Sequence, residues 1–352
     1  MSKLRSEYKC RICTSDKIEN FRLNHLVFST KNDNWKSFLC FDCGGVSDFR
    51  VSGISKRYDD GSYRKKETLS IGEDQDSNVI PPVNSWSEIT FKRWSNIWKL
   101  LTTKTEIFNK DNLKMLDFGG YNGYLPYAFK QKHKINSFVA DYDPNGLAMA
   151  DFLGSKTINL SKQELLEKDF DLITAVQVFE HLEKPKDQLI KLKNILSDEG
   201  IIYVEVPNLY GFPLGDEMHN STFTQFSLHK LFTDCGFEII NYGFTQTPKE
   251  SIKFNYYLNN KKECIYIIAS LKKNSKTVKI PEANIPKSTR IFKYRLQVAY
   301  AKIMLNSVSL VLFKLSLKNL KTFFLFLIYG LIELITLKIL RFSLINKIFR
   351  KK

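Results

Sequence analysis

Lys114–Leu125 reads KMLDFGGYNGYL, and Lys114 to Phe118 is a short, mainly apolar run with an acid near its end. That pattern predicts a buried parallel strand. Gly119, Gly120 and Gly123 follow at once, and Leu125, Ala128 and Phe129 then fall at helical spacing. Strand, glycine turn and helix in that order open a βα unit of the nucleotide-binding kind. Glycines are needed there because the backbone turns sharply and approaches a ligand too closely to tolerate a Cβ. Pro126 costs nothing in the first helical turn, where its missing N–H would have no partner anyway.

About twenty residues on, Phe138–Asp143 (FVADYD) predicts a second strand ending in acids, of which Asp141 can bond both hydroxyls of a ribose over the first turn. Asp171–Val178 predicts another buried strand, running into Phe179-Glu180-His181-Leu182. Together these residues resemble the class I S-adenosylmethionine-dependent methyltransferases. The likeness is to the branch whose fourth strand opens on Phe-Asp, here Phe170-Asp171, and runs out into Glu-His, here Glu180-His181. It covers residues 84–272 and implies an α/β fold, a Rossmann-like seven-stranded sheet with its last strand antiparallel. It also implies S-adenosylmethionine as cofactor, held by Asp117, Gly119, Gly120, Gly123, Asp141, Asn159 and Gln177. Asn159 ends a short third strand, Lys156–Leu160, where the family commonly contacts adenine. One departure is Tyr121, which stands where the family's G-x-G-x-G has its middle glycine. A tyrosine fits there if its φ is negative or left-handed helical. A methyltransferase fold that has lost its cofactor is the alternative reading.

Cys10-x-x-Cys13 and Cys40-x-x-Cys43 are two knuckles with 26 residues between them. Two thiolate pairs complete the tetrahedral set of a closed, structural zinc. Gly44 and Gly45 suit the tight turn after the second knuckle. A zinc ribbon ahead of this methyltransferase type resembles the sugar C-methyltransferases of deoxysugar pathways. Six cysteines in all, unevenly placed, do not make a secreted disulfide scaffold. The polar N-terminus MSKLRSEYKC has no apolar signal core. The expected compartment is a reducing cytoplasm.

The 352 residues allow one core domain and two smaller modules, with ordinary hydrophobic (43%) and charged (26%) content. A net charge of +16 calls for an anionic partner. From residue 280 on there are 14 Lys and Arg against Glu282 and Glu333, a surplus of 12 that leaves +4 for residues 1–279. A ribbon and core with so little excess charge argue against nucleic acid. The basic tail is also apolar: Thr322–Leu337 runs 16 residues between Lys321 and Lys338 and holds Glu333. That is short of the roughly 20 residues that span a bilayer. Basic residues between apolar runs suit shallow insertion at an anionic surface; packing on protein is the alternative. The expected organisation is a zinc ribbon (1–52), a linker (53–83), a methyltransferase domain (84–273), a second linker (274–290) and a helical tail (291–352).

Within the core, Ser85-x-x-Glu88 is a capping box, followed by the stripe Trp94, Ile97, Trp98 and Leu101. Pro185 opens a helix with Leu189, Leu192 and Leu196 on one face, stopped near Gly200. Ile201–Val206 is a fifth strand, Ser227 caps a helix that Gly236 ends, and Phe237–Tyr242 and Cys264–Leu271 are the last strands. Methyl transfer is a displacement that needs alignment and, for a hydroxyl or carbon acceptor, a base. The candidates are His219 and Glu217, in the loop after the fifth strand, and His181 after the fourth. The resembled branch carries H-x-x-x-F-S in that loop, whereas His219 stands seven residues before Phe226 and Met218 separates it from Glu217. The expected activity is methylation of a sugar, nucleotide-sugar or glycan in cell-surface polysaccharide or deoxysugar synthesis, beside the inner face of the plasma membrane. RNA methylation and an inactive, methyltransferase-like membrane adaptor are the alternatives.

Overall fold

The computed structural model describes residues 8–21, 35–50, 72–73, 79–80, 85–211, 218–245, 262–272, 278–283 and 285–289, with positions 291, 292, 295 and 299. Glu217, residues 53–71 of the first predicted linker and most of the tail lie outside them.

Three strands, β1 (Ile18–Phe21), β2 (Trp35–Cys40) and β3 (Val46–Arg50), form an antiparallel meander around the cysteine knuckles. Two-residue strands β4 (Gly72–Glu73) and β5 (Val79–Ile80) pair with each other. The main sheet has seven strands: β6 (Leu113–Phe118), β7 (Ile135–Asp141), β8 (Lys156–Asn159), β9 (Phe170–Val176), β10 (Leu196–Pro207), β12 (Glu238–Thr245) and β13 (Cys264–Ser270). Their order across the sheet is β12-β13-β10-β9-β6-β7-β8. β10, β9, β6, β7 and β8 are mutually parallel. β13 runs antiparallel between β10 and β12, as the family resemblance implied.

Side chains alternate across this sheet with the period of two that strands impose. Ile202, Val204 and Val206 of β10 join Ile265, Ile267 and Ala269 of β13 in one apolar cluster, while Ile201, Tyr203 and Ile268 join another. The first cluster is covered by α4 (Pro185–Lys193) and α5 (Gln225–Asp234), through Leu189, Leu192, Leu228 and Phe232. The second is covered by α1 (Ser85–Lys104) and α2 (Tyr124–Lys130), through Ile97, Leu101 and Phe129. Trp94 and Trp98 pack against it, as their spacing predicts. A further helix, α3 (Pro144–Phe152), joins β7 to β8. Helices on both faces of a parallel sheet put any ligand at the carboxyl ends of the strands, near the switch in strand order.

Three local expectations need correction. Leu196 does not lie on a helical face. α4 ends at Lys193 with Asn194 as its cap, and Leu196 already pairs with Phe170 in β10. Ser197-Asp198-Glu199-Gly200 form a bulge before the ladder resumes at Ile201, and a Cβ on Gly200 would meet the Phe170 carbonyl at 2.7 Å. Hydrophobic spacing alone cannot separate a helix end from a strand start when an apolar residue lies on both. Ser227 is not the cap of α5 but the third residue of its capping box: Thr224 Oγ1 accepts from Ser227 N–H at 3.0 Å, and Ser227 Oγ accepts from Thr224 N–H at 2.8 Å. The second strand ends at Asp141, because Asp143 leaves the sheet to cap α3, accepting from Asn145 N–H and Gly146 N–H.

The ribbon meander is completed by the core. β11 (Ser221–Thr222), in the loop after β10, pairs antiparallel with β3 as its fourth strand, Ser221 opposite Ser47 and Thr222 opposite Val46. Ile12 and Phe38 of the ribbon share the apolar cluster of the main sheet. Described residues of the second predicted linker are packed too. Tyr242 Oη donates to the Lys279 carbonyl at 2.5 Å, Ile285 lies against Gly44, and Phe292 beyond is fully buried. Polar composition conceals that packing, because backbone groups and single apolar residues carry it. Among the described residues, no helix is long and apolar enough to cross a membrane.

Candidate functional site

The glycine turn leaves β6 with Gly119 at φ +71° and Gly123 at φ +70°, conformations that side chains resist. Between them Tyr121 adopts φ +47°, the left-handed geometry open to it. Its strain is offset where its N–H donates to Asp141 Oδ2 at 2.9 Å and where its ring lies on Gly146 of α3, a position with no room for a Cβ. Asp141 Oδ1 also accepts from Asp143 N–H at 3.0 Å. Asp141 therefore braces the turn from the end of the neighbouring strand. Asn159 is directly opposite Asp141 in the β7–β8 ladder. Gln177, at φ +58° just past β9, points its Nε2 at Cys264 Sγ, 3.5 Å away. The predicted cofactor residues thus fall in one row, at the carboxyl ends of β9, β6, β7 and β8.

Asp117 is buried beneath the turn, its carboxylate against Gly120 and accepting from Thr174 Oγ1 at 2.7 Å. Burial pushes its pKa up to about 7, helped by the nearby Asp141 charge and opposed by the Thr174 hydrogen bond. Asp171, the acid of the Phe-Asp pair, has a structural task. It accepts from Lys114 N–H at 2.9 Å and pairs with Lys110 at 2.5 Å, tying the start of β9 to β6.

Beyond β9 a single 3₁₀ turn, Phe179–His181, faces the loop that carries His219. His181 Nδ1 lies 2.9 Å from the Met218 carbonyl, so Nδ1 carries the proton and donates it. His181 Nε2 lies 3.7 Å from Glu180 Oε1, and the His181 and His219 rings meet edge to face at 4.9 Å. Asn220 N–H donates to the Glu180 carbonyl at 2.7 Å, and Asn220 Nδ2 to the His181 carbonyl at 2.6 Å. The next residues are β11, so the ribbon holds this loop from its other side. Asp48 N–H donates to the Asn220 carbonyl at 2.9 Å, and Arg11 reaches the Glu183 carbonyl at 3.0 Å. Gly119 connects the two halves, since a Cβ there would meet Val178 Cγ2 at 2.5 Å, two residues before Glu180. His229 lies elsewhere, buried on α5 against Tyr242.

The two knuckles fold alike. Cys10 N–H donates to the Ser15 carbonyl and Cys40 N–H to the Gly45 carbonyl, with Thr14 and Gly44 both at positive φ. The four sulfurs converge, Cys10 on Cys43 at 3.7 Å and Cys13 on Cys40 at 3.5 Å. Four sulfurs about 2.3 Å from one zinc stand about 3.8 Å apart, so the set fits that ion. Gly45 N–H and Ser47 Oγ–H point at Cys43 and Cys10 sulfurs, as donors around thiolates do.

Residues 89–242 match the family model described as a methyltransferase domain. The chain carries a methyltransferase domain. No curated protein sequence matches it. Solved structures that resemble it include an S-adenosylmethionine-dependent methyltransferase from Clostridium acetobutylicum, at 14% identity, covering 61% of this chain and 98% of that one, with a TM-score of 0.38. Another, from Aquifex aeolicus, has 19% identity, covers 49% and 87%, and scores 0.37. A chain of the complex between the Haloferax volcanii Trm112 methyltransferase activator and a methyltransferase has 12% identity, covers 53% and 98%, and scores 0.39. Likeness at this level says nothing about the acceptor.

In the methyltransferase domain the structure brings His181 and His219 together, while Glu217 falls outside the described residues. Sequence reasoning gave no role to Thr174, Gly146 or Asn220, and quoted Glu180 only as part of a motif. Thr174 had a signal, a lone hydroxyl inside the otherwise apolar run 172–176. Asn220 had none, because its partners come from remote elements. A buried acid was missed as well. Glu205 of β10 pairs with Arg93 of α1 and accepts from Tyr203 Oη at 2.8 Å and Thr245 Oγ1 at 2.7 Å.

Proposed function

We propose that the protein transfers a methyl group from S-adenosylmethionine to a sugar, nucleotide-sugar or glycan acceptor. The observation that carries this is the adjacency of two clusters: the turn braced by Asp141, and Glu180 with His181 and His219, joined where Gly119 packs on Val178. The turn suits the cofactor because it leaves the carboxyl end of β6 and an acid stands at the end of the next strand. Asp141 and Asn159 would take the nucleoside, and Gly119, Gly120 and Gly123 would border it above Asp117. When bound, the cofactor supplies an electrophilic methyl on a sulfonium. The protein's part is to align the acceptor and exclude water. His219, buried beside His181, would handle the acceptor's proton, with Glu217 in the same loop. Zinc on Cys10, Cys13, Cys40 and Cys43 would be structural, since four sulfurs leave it no open position. The sugar acceptor is favoured by the ribbon-plus-core resemblance and by the low excess charge outside the tail.

Calorimetry on the full chain tests the cofactor. Asp141→Asn keeps one acceptor oxygen for the turn and should raise the S-adenosylmethionine Kd at least tenfold, about 1.4 kcal/mol. Absence of binding by the folded wild type would overturn the reading. Labelled methyl transfer onto a nucleotide-sugar mixture tests the acceptor. Label appearing on RNA and not on sugars would move the protein to the other substrate class.

A further inference from the structure

We propose that Glu180, His181 and His219 form a second metal site, which takes a first-row divalent cation such as Mn²⁺ and presents the acceptor hydroxyl to the methyl donor. This deepens the methyltransferase reading and rests on it. The ligand atoms of the three side chains lie within 4.8 Å of one another. Three donors bound at about 2.1 Å to one ion stand about 3–4 Å apart. His181 Nε2 and Glu180 Oε1, at 3.7 Å, already meet that spacing. The proton on His181 is fixed at Nδ1 by the Met218 carbonyl, which leaves Nε2 as the ligand atom. A metal-binding imidazole is ordinarily held that way, donating its other N–H to a carbonyl or carboxylate.

Burial and access point the same way. Glu180 and His219 are buried, while the His181 side chain keeps 19% of its surface exposed. Three protein ligands with one side open describe an exchangeable, catalytic type of site, in contrast to the closed four-sulfur set. Asn220 bonds the Glu180 carbonyl with its backbone and the His181 carbonyl with its side chain, so the two ligand-bearing segments are fixed relative to each other. Gly119 rests on Val178, so the site begins two residues from the glycine turn. Two imidazoles and a carboxylate favour Mn²⁺, Fe²⁺ or Zn²⁺ over Mg²⁺, while the thiolates compete for zinc.

The chemistry balances without redox change. In this arrangement His219 holds the ion and does not serve as the base: a hydroxyl bound to the cation is made more acidic and gives its proton to water. The acceptor oxygen then forms a C–O bond to the methyl carbon as the S–CH₃ bond breaks. That electron pair stays on sulfur, so a neutral thioether leaves and the cation keeps its charge. The acceptor class is accordingly a hydroxyl, and the product an ether.

The test titrates the full-length protein, its zinc content measured, with Mn²⁺ and follows the free-ion signal by electron paramagnetic resonance. The expected result is one Mn²⁺ per chain beyond the zinc, with Kd raised tenfold or more in Glu180→Gln and in His219→Ala. Zinc content and S-adenosylmethionine binding should stay unchanged. Glu180→Gln is isosteric, so it carries the test if His219→Ala does not fold. Wild type ignoring millimolar Mn²⁺, or Glu180→Gln binding it as wild type does, overturns the site. Cofactor calorimetry on the same samples separates the two claims. Cofactor bound with Mn²⁺ ignored removes the metal site alone, whereas a folded chain that binds no cofactor removes the methyltransferase reading.

Discussion

Asp117 is the residue on which the site's electrostatics turn. A carboxyl with a pKa of about 7 in the folded state, against 3.8 as its ordinary value, binds more protons folded than unfolded through that interval. Stability from this group is therefore fully present below the ordinary value and is lost as pH rises toward 7. The slope reaches about 1.4 kcal/mol per pH unit when one proton separates the states. Asp117→Asn keeps the size and stays neutral, so it should flatten the pH dependence between 4 and 7 and stabilise the cofactor-free protein above 7. Urea titrations across that range, wild type beside variant, measure it; parallel curves would mean that Asp117 titrates normally. The same residue shows what sequence can and cannot disclose. That an acid ends β6 was legible from the strand pattern. Its burial against Thr174 and Gly120 was not, because both contacts depend on strand order. Tyr121 was legible only as a condition, and the structure resolves it as left-handed backbone tied to Asp141.

At the scale of elements, the ribbon and the His219 loop are one object. β3 takes β11 as its outer partner, and the loop residue before β11 is also held by Asp48 N–H. Three short strands around two knuckles bury little apolar surface, so the zinc proposed for the four sulfurs would supply much of their stability. Stripping zinc from the full chain should therefore loosen residues 8–50 and, through β3, residues 218–223. The central ladder of β6, β9 and β10 gains nothing from zinc and should stay protected. Hydrogen exchange by mass spectrometry reads both regions at once. Unchanged protection at 218–223 after zinc is lost would show that the loop stands without the ribbon. The knuckles and the seven-stranded core were each legible, since each has a local signature: paired cysteines, and strand–turn–helix punctuation. Their union was not, because a two-residue strand has no period to detect. Leu196 failed for a related reason, an apolar residue that fits both the helical stripe behind it and the ladder ahead.

Over the whole molecule the charge is lopsided, with 12 of the 16 net positive charges falling after residue 279. Those residues are also rich in apolar runs, and the two properties act together at an anionic membrane. Each basic residue near such a surface adds about 1 kcal/mol, and the apolar side chains add burial. Packing on protein requires the apolar runs but not the lysines and arginines between them. We therefore propose a peripheral protein that works beside a lipid-linked or membrane-assembled glycan. The place of the cut matters for the test. Phe292 is fully buried and Ile285 lies against the second knuckle, so these two residues belong to the packed body. Truncation after residue 299 spares them and removes 10 of the 14 tail cations. The full chain should sediment with anionic vesicles at low salt, and release as ionic strength shortens the Debye length from about 30 Å at 0.01 M to 10 Å at 0.1 M. The truncated chain should keep its fold and its cofactor binding while losing the vesicles. If the full chain ignores them at low salt, the tail packs on protein and the membrane reading fails.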